Sequence, residues 1–230
     1  RTILPQSGAL AFLGPPEGAG VALAAQEIHE ADLGITVEVE FRDSGDTTTD
    51  TATVSVTDLL SLDVSAIVGA ASSGVSKTVI DQIVAAGVVQ FSPANPSPDF
   101  TTYPDNGLYW RTAPSDLLQG EVLGNLIAED GAETLGLIVL NDAYGTGLAG
   151  ALKATFEATG GEVVAEALFN EGEASFDAQI STVTAANPDA IAVITFDQAK
   201  VIVPALVGGG YPGSQLYFVD GNLADYSADF

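Results

Sequence analysis

Residues 68–84, VGAASSGVSKTVIDQIV, decide how the chain is read. The stretch leaves an apolar strand at Gly69, and from Val75 onward Val75, Val79, Ile80, Ile83 and Val84 recur at helical spacing. A strand, a tight turn and a helix therefore follow one another directly. The same residues imitate a phosphate loop, because Gly69, Gly74, Lys77 and Thr78 come close to G-x-x-x-x-G-K-[ST]. Val75 and Ser76 break the imitation. They carry Lys77 about a full turn into the helix, where it is expected to face solvent rather than a phosphate. Nucleotide binding is disfavoured. What remains at the helix start is Ser72, Ser73 and Gly74, with free backbone N–H groups and a hydroxyl. Such a cradle suits an anion of single charge, a carboxylate above all. The plainer alternative is that Ser73 only caps the helix.

The strand–turn–helix unit recurs outward in both directions. GITVEVEF (34–41) alternates apolar and polar residues, as a strand with one wet face does. SAIVGA (65–70), VVQF (88–91), TLGLIVL (134–140), AIAVIT (190–195) and LYFV (216–219) are short apolar runs of the kind buried between two helix layers. A second helical stripe is expected from Leu118, Val122, Leu123, Leu126 and Ile127. This alternation predicts an α/β fold with parallel, doubly wound sheets. Residues 91–116, rich in Pro, Asn and Ser with only LYWRT strand-like among them, read as a crossing between two Rossmann-like lobes. The expected lobes are 1–113 and 114–230. Paired lobes of this kind place ligands at the carboxyl ends of their strands.

Composition narrows the function. The 230 residues are 47% hydrophobic, enough for a real core, and no apolar run is long enough to span a membrane. Only six Lys and Arg residues stand against a net charge of −25, which repels nucleic acid. The acidity fits a solvated surface in a salty or extracellular setting. Without Cys there are no disulfides, thiol nucleophiles or thiolate metal sites. The chain also lacks Met, and no signal peptide is visible; processing or trimming is expected to account for both.

Three further loops follow strands and could carry chemistry. SPANPSP (92–98) is stiffened by prolines that can hold the Ala94 carbonyl outward. NDAYG (141–145) places Tyr144 just after an apolar strand, and FVDGN (218–222) does the same for Asp220, an acid able to hold an ammonium group. An enzyme is hard to assemble. His29, the only His, falls in a helix beside Glu27 and Glu30, which leaves no Ser-His-Asp triad. Asp43 and Asp46 could hold calcium only weakly, and no metal or other cofactor is expected.

LPQSGALAFLGPPEGAGVALAAQEI, DSGDT, IVGAASSGVS, VVQFSPANPSPDFT, YWRTAPSDLLQG and NDAYGTGLA closely resemble, in order and over nearly the whole chain, the leucine/isoleucine/valine-type solute-binding proteins of ABC transporters. The resemblance implies a type I periplasmic binding fold, two lobes that close on an amino acid or related solute, and an extracytoplasmic receptor that delivers it to a membrane permease. It implies that Ser73, with Ser72 beside it, holds the ligand carboxylate. It also implies that the Ala94 carbonyl and Asp220 take the ammonium, and that Asn95, Pro96 and Tyr144 line the site. Leu13, with Phe12, and Phe196 would surround the side chain. Pro96 stands where the family usually has threonine, Phe196 where a tyrosine is common and Leu13 where an aromatic often lies. The ligand therefore ranges from an aliphatic amino acid to an amide, urea or an aromatic acid. A ligand-sensing ectodomain of a signalling receptor is the second expectation. The C-terminal return segments of a usual member are expected to be absent, and closure would hinge near 112–116.

Overall fold

The computed structural model describes residues 1–227 and 229. The chain divides into two compact units: residues 1–96 with 102–114, and residues 97–101 with those from 115 onward. In the first, β1 (Thr2–Leu4), α1 (Gly14–Glu30), β2 (Phe41–Asp43), α2 (Thr51–Leu60), β3 (Ala66–Gly69), α3 (Ser73–Ala85), β4 (Val89–Ser92) and β5 (Tyr109–Arg111) build one sheet in the order β2-β1-β3-β4-β5. The second contains α4 (Asp116–Glu129), β6 (Thr134–Leu140), α5 (Gly145–Ala158), β7 (Glu162–Phe169), α6 (Asp177–Ala185), β8 (Ala190–Ile194), α7 (Ala199–Gly208) and β9 (Leu216–Phe218), with sheet order β7-β6-β8-β9. Every ladder is parallel. The fold is the expected α/β type. In each unit the order reverses once, beside β1 and beside β6, so each sheet has a switch point at its carboxyl edge.

The cores follow from the apolar runs. Ile3, Val56, Leu59, Ile67, Val75, Val79 and Ile83 pack the first unit with no more than traces of exposure. In the second, Leu135 and Leu137 to Leu140 on β6 and Ile191 to Ile194 on β8 are fully buried, as strands covered on both faces must be.

Three local expectations change. Residues 35–40 form no strand, although their alternation is real. β1 offers ladder partners only to Phe41–Asp43 and, beyond them, accepts contact only at the Glu40 carbonyl, which takes the Thr2 N–H at 2.9 Å; the Val37 N–H turns instead to His29 Nε2 at 3.0 Å. Secondly, α4 buries only part of the expected stripe: Leu123 and Ile127 are buried, but Leu118, Val122 and Leu126 are 56%, 60% and 45% exposed. Its inner face is Gly120, Leu123, Gly124 and Ile127, because α4 lies so close to α5 that a Cβ on Gly120 would sit 2.5 Å from that of Ala151. A Cβ on Gly124 would sit 2.9 Å from Thr155 Cβ. Backbone proximity shares the buried face between glycines and the two apolar residues. Finally, β7 was not anticipated as a strand. It is an edge strand whose residues mostly keep partial contact with water, which blurs its apolar signal.

Candidate functional site

Each candidate residue lies just beyond the carboxyl end of a strand. Leu13 follows β1, Ser72 and Ser73 follow β3, and Ala94, Asn95 and Pro96 follow β4. Tyr144, Phe196 and Asp220 follow β6, β8 and β9.

In the first unit the turn after β3 is sharp. Gly69 has φ of +117°, and a Cβ there would meet the Ile3 carbonyl oxygen at 2.0 Å, so only glycine fits. The helix cap belongs to Ser72, which is extended at φ −73° and ψ 131° and accepts the Val75 N–H on its hydroxyl at 3.2 Å. Ser73, almost fully buried, is the first helical residue and is not the cap. The capping that the sequence offered to Ser73 is therefore done by Ser72. Lys77 lies on the outer side of α3, its Nζ 4.9 Å from the ring centre of Tyr103, whose hydroxyl donates to Asp81 at 2.7 Å. That lysine is engaged away from the turn.

Side chains of β4 and α3 tie this turn to the next loop. Gln90 Nε2 donates to the Gly69 carbonyl at 3.0 Å, and Ser76 Oγ accepts the Ala70 N–H at 3.1 Å. Ser92 Oγ donates to the Ala70 carbonyl at 2.7 Å and accepts the Ala94 and Asn95 N–H groups at 3.2 and 3.1 Å. Arg111 then donates to the Asn95 carbonyl at 2.7 Å. The main chain of Asn95 is pinned from both sides. Its side-chain amide is buried. The Tyr109 phenol is pushed up to about 12 by burial, an effect that Asn95, Arg111 and Ser92 oppose. Pro96 is buried, and Leu13 is half-buried in the turn before α1, its N–H on the Leu10 carbonyl at 2.9 Å. Phe12 beside it is exposed.

In the second unit the predicted residues meet. The Tyr144 hydroxyl donates to Asp220 Oδ1 at 2.6 Å and accepts the Gly221 N–H at 3.1 Å. Its ring stacks on Phe196 with centroids 5.1 Å apart and an interplanar angle of 15°. Burial first, and then the charges of Asp220 and Asp116, hold the Tyr144 phenol well above its ordinary ionisation range, so it stays a donor. Phe196 gives one ring face to this stack.

Three residues here escaped the sequence reading. Gln119, on the first turn of α4, accepts the Asp220 N–H at 2.9 Å and donates to Asp220 Oδ1 at 3.0 Å. Its amide also donates to Asp116 Oδ1 at 2.8 Å, and Asp116 is fully buried. Asn222 donates to the Thr195 carbonyl and hydroxyl at 2.8 Å each and to the Phe196 carbonyl at 3.2 Å, and accepts the Val219 N–H at 3.2 Å. It pins the turn after β9 to the turn after β8. The available signal was a pair of polar residues, Asp116 and Gln119, spaced to share one face at the start of the helix. Chemically the cluster presents one oriented carboxylate and a phenol. Among the described residues no group of three or more His, Asp or Glu could hold a metal, and no helix is long and apolar enough to cross a membrane.

Comparison with known proteins identifies the family. A leucine-, isoleucine-, valine-, threonine- and alanine-binding protein of Pseudomonas aeruginosa is 28% identical over 179 residues, covering 77% of this chain and 48% of the relative. A chemotactic signal transduction system substrate-binding protein, BasB, of Halobacterium salinarum is 27% identical over 155 residues, covering 64% and 37%. Among solved structures, the branched-chain amino acid transporter substrate-binding protein LivJ of Streptococcus pneumoniae, in complex with isoleucine, is 28% identical. It matches with a TM-score of 0.80 over 96% of this chain and 63% of its own. The chain thus spans less than half the length of these two curated relatives. Residues 2–224 match the family described as periplasmic binding protein, and the chain belongs to that family.

Proposed function

We propose that this chain belongs to an extracytoplasmic solute-binding receptor of an ABC importer. Its ligand is a small amino-acid-like zwitterion, a branched-chain or other aliphatic amino acid, handed on to a membrane permease. The observation that carries this reading is the Asp220 carboxylate, oriented by Tyr144 and Gln119. An oriented carboxylate with a neutral phenol beside it is suited to an ammonium group. The first unit supplies the complementary chemistry. With Ser72 committed to the cap, the Ser73 hydroxyl and the N–H groups at the start of α3 are assigned to a carboxylate. The Ala94 carbonyl takes part of the ammonium, and Leu13, Phe12 and Phe196 the aliphatic side chain. Burying a side chain of leucine size contributes about 1.5–3 kcal/mol before the entropic cost of binding.

Calorimetric titration of the full-length protein with a panel of aliphatic amino acids, acetamide, urea and benzoate tests the reading. Binding of an amide or aromatic acid in the absence of any amino-acid binding would sink it. A second reading, capture of the same solute for a signalling receptor, is supported by the similarity to BasB. Co-purification from the native membrane separates the two: a permease partner favours import, a transducer favours sensing.

A further inference from the structure

Asp220 is exposed at the start of a 3-10 turn, Asp220–Asn222, directly after β9. A carboxylate in such a turn is free to rotate about its side-chain bonds, and a cation that binds it must then bear the entropy of ordering it. Gln119 removes that freedom. Its oxygen holds the Asp220 N–H, and its nitrogen holds Asp220 Oδ1, at 2.9 and 3.0 Å. One planar amide therefore grips both the main chain and the side chain of a residue 101 positions away. The amide is itself held from behind, since Nε2 also donates to the buried Asp116 at 2.8 Å. Tyr144 donates to the same oxygen, Oδ1, at 2.6 Å. Both donors converge on one oxygen, and no hydrogen bond among the described residues reaches Oδ2.

We infer that Gln119 is a positioning residue for ligand recognition: it locks the Asp220 carboxylate in the orientation that leaves Oδ2 for the ammonium group of a zwitterion. The inference rests on the proposed role of Asp220 and extends it to α4, on which no candidate ligand residue had been placed. Tyr144 alone could not perform this task, because a single hydrogen bond to Oδ1 leaves the carboxylate able to swing about it. The amide adds a second donor and fixes the backbone that carries the side chain.

Gln119→Met keeps the length of the side chain and removes all three hydrogen bonds, so it isolates the effect. The full-length protein and this variant are titrated with L-isoleucine and with 3-methylpentanoate, which has the same carboxylate and side chain but no ammonium. Backbone hydrogen exchange at residues 220 and 221 is followed in the ligand-free proteins. The expected result is about tenfold weaker isoleucine binding, unchanged 3-methylpentanoate binding and faster exchange at both amides. Equal losses for the two probes would indicate general damage and overturn the inference, as would unchanged isoleucine affinity or unchanged exchange. If the wild-type protein binds 3-methylpentanoate as well as isoleucine, or binds neither, the zwitterion reading itself fails, and the role of Gln119 falls with it.

Discussion

Replacing Asn222 by Ala should destabilise the second unit by about 3 kcal/mol. Asn222 is 5% exposed, and it satisfies the Thr195 and Phe196 carbonyls and the Val219 N–H, all of them in buried residues. Its two amide hydrogens and one oxygen amount to three hydrogen bonds, at about 1 kcal/mol net apiece, with further cost wherever the abandoned partner stays dry. With a urea dependence of about 1–3 kcal/mol per molar, the unfolding midpoint of this unit should drop by roughly 1–3 M. Far-UV circular dichroism follows the transition. The fluorescence of Trp110, the single tryptophan, lies in the first unit and monitors that unit separately. Asn222→Asp sharpens the test. One carboxylate oxygen can still accept the Val219 N–H, but the other would face two carbonyl oxygens. At pH 7 this variant should be less stable than the Ala variant. The new acid has its folded pKa raised, so stability is recovered as pH falls toward its ordinary value of about 3.9, where the neutral acid can donate again. A loss below about 1 kcal/mol in the Ala variant, or an Asp variant as stable as wild type at pH 7, would show that the geometry has been misjudged.

Other expectations are simpler. Ser72→Ala should cost about 1 kcal/mol of stability through the lost cap and leave ligand affinity alone, whereas Ser73→Ala should weaken affinity by about 1–3 kcal/mol; paired melting and titration that failed to separate the two would remove the proposed division. Burial raises the Glu17 carboxyl from its usual 4.5 to about 7. A raised folded pKa means stability present below 4.5 and lost as pH rises through 7, so Glu17→Gln should flatten the stability profile over that window, and an unchanged profile would count against the burial. With a net charge of −25, the urea midpoint should rise with NaCl, because the screening length shrinks from about 10 Å at 0.1 M to about 3 Å at 1 M. A flat response would mean that self-repulsion is a minor term.

The parts of this chain that could be read from sequence are those where hydrophobic burial dominates. TLGLIVL and AIAVIT announced β6 and β8 because strands covered on both sides must be continuously apolar. The strand-end loops could then be located, and Tyr144, Phe196 and Asp220 do meet. What failed depended on partners distant in sequence. The alternation of 35–40 says nothing about whether β1 reaches that far, and the stripe on α4 was misjudged because glycines at a close helix contact carry no hydrophobic signal. Gln119 and Asn222 are ordinary polar residues until Asp220 and Thr195 are brought beside them.

The close contact of α4 with α5 has a mechanical consequence. At Gly120 and Gly124 the two helices approach too tightly to slide or roll independently, so they move as one strut. Gln119 sits beside the first of those glycines on α4, and Tyr144 precedes the first residue of α5. The two donors that grip Asp220 are therefore mounted on a single stiff frame, and Asp220 is the piece that is fitted to it. A side chain as small as that of alanine at Gly124, remote in sequence from every group that would touch a ligand, would spread the frame and separate the donors. On the proposed role of Asp220, affinity would be tuned from a helix seam, with no change to any residue that meets the ligand.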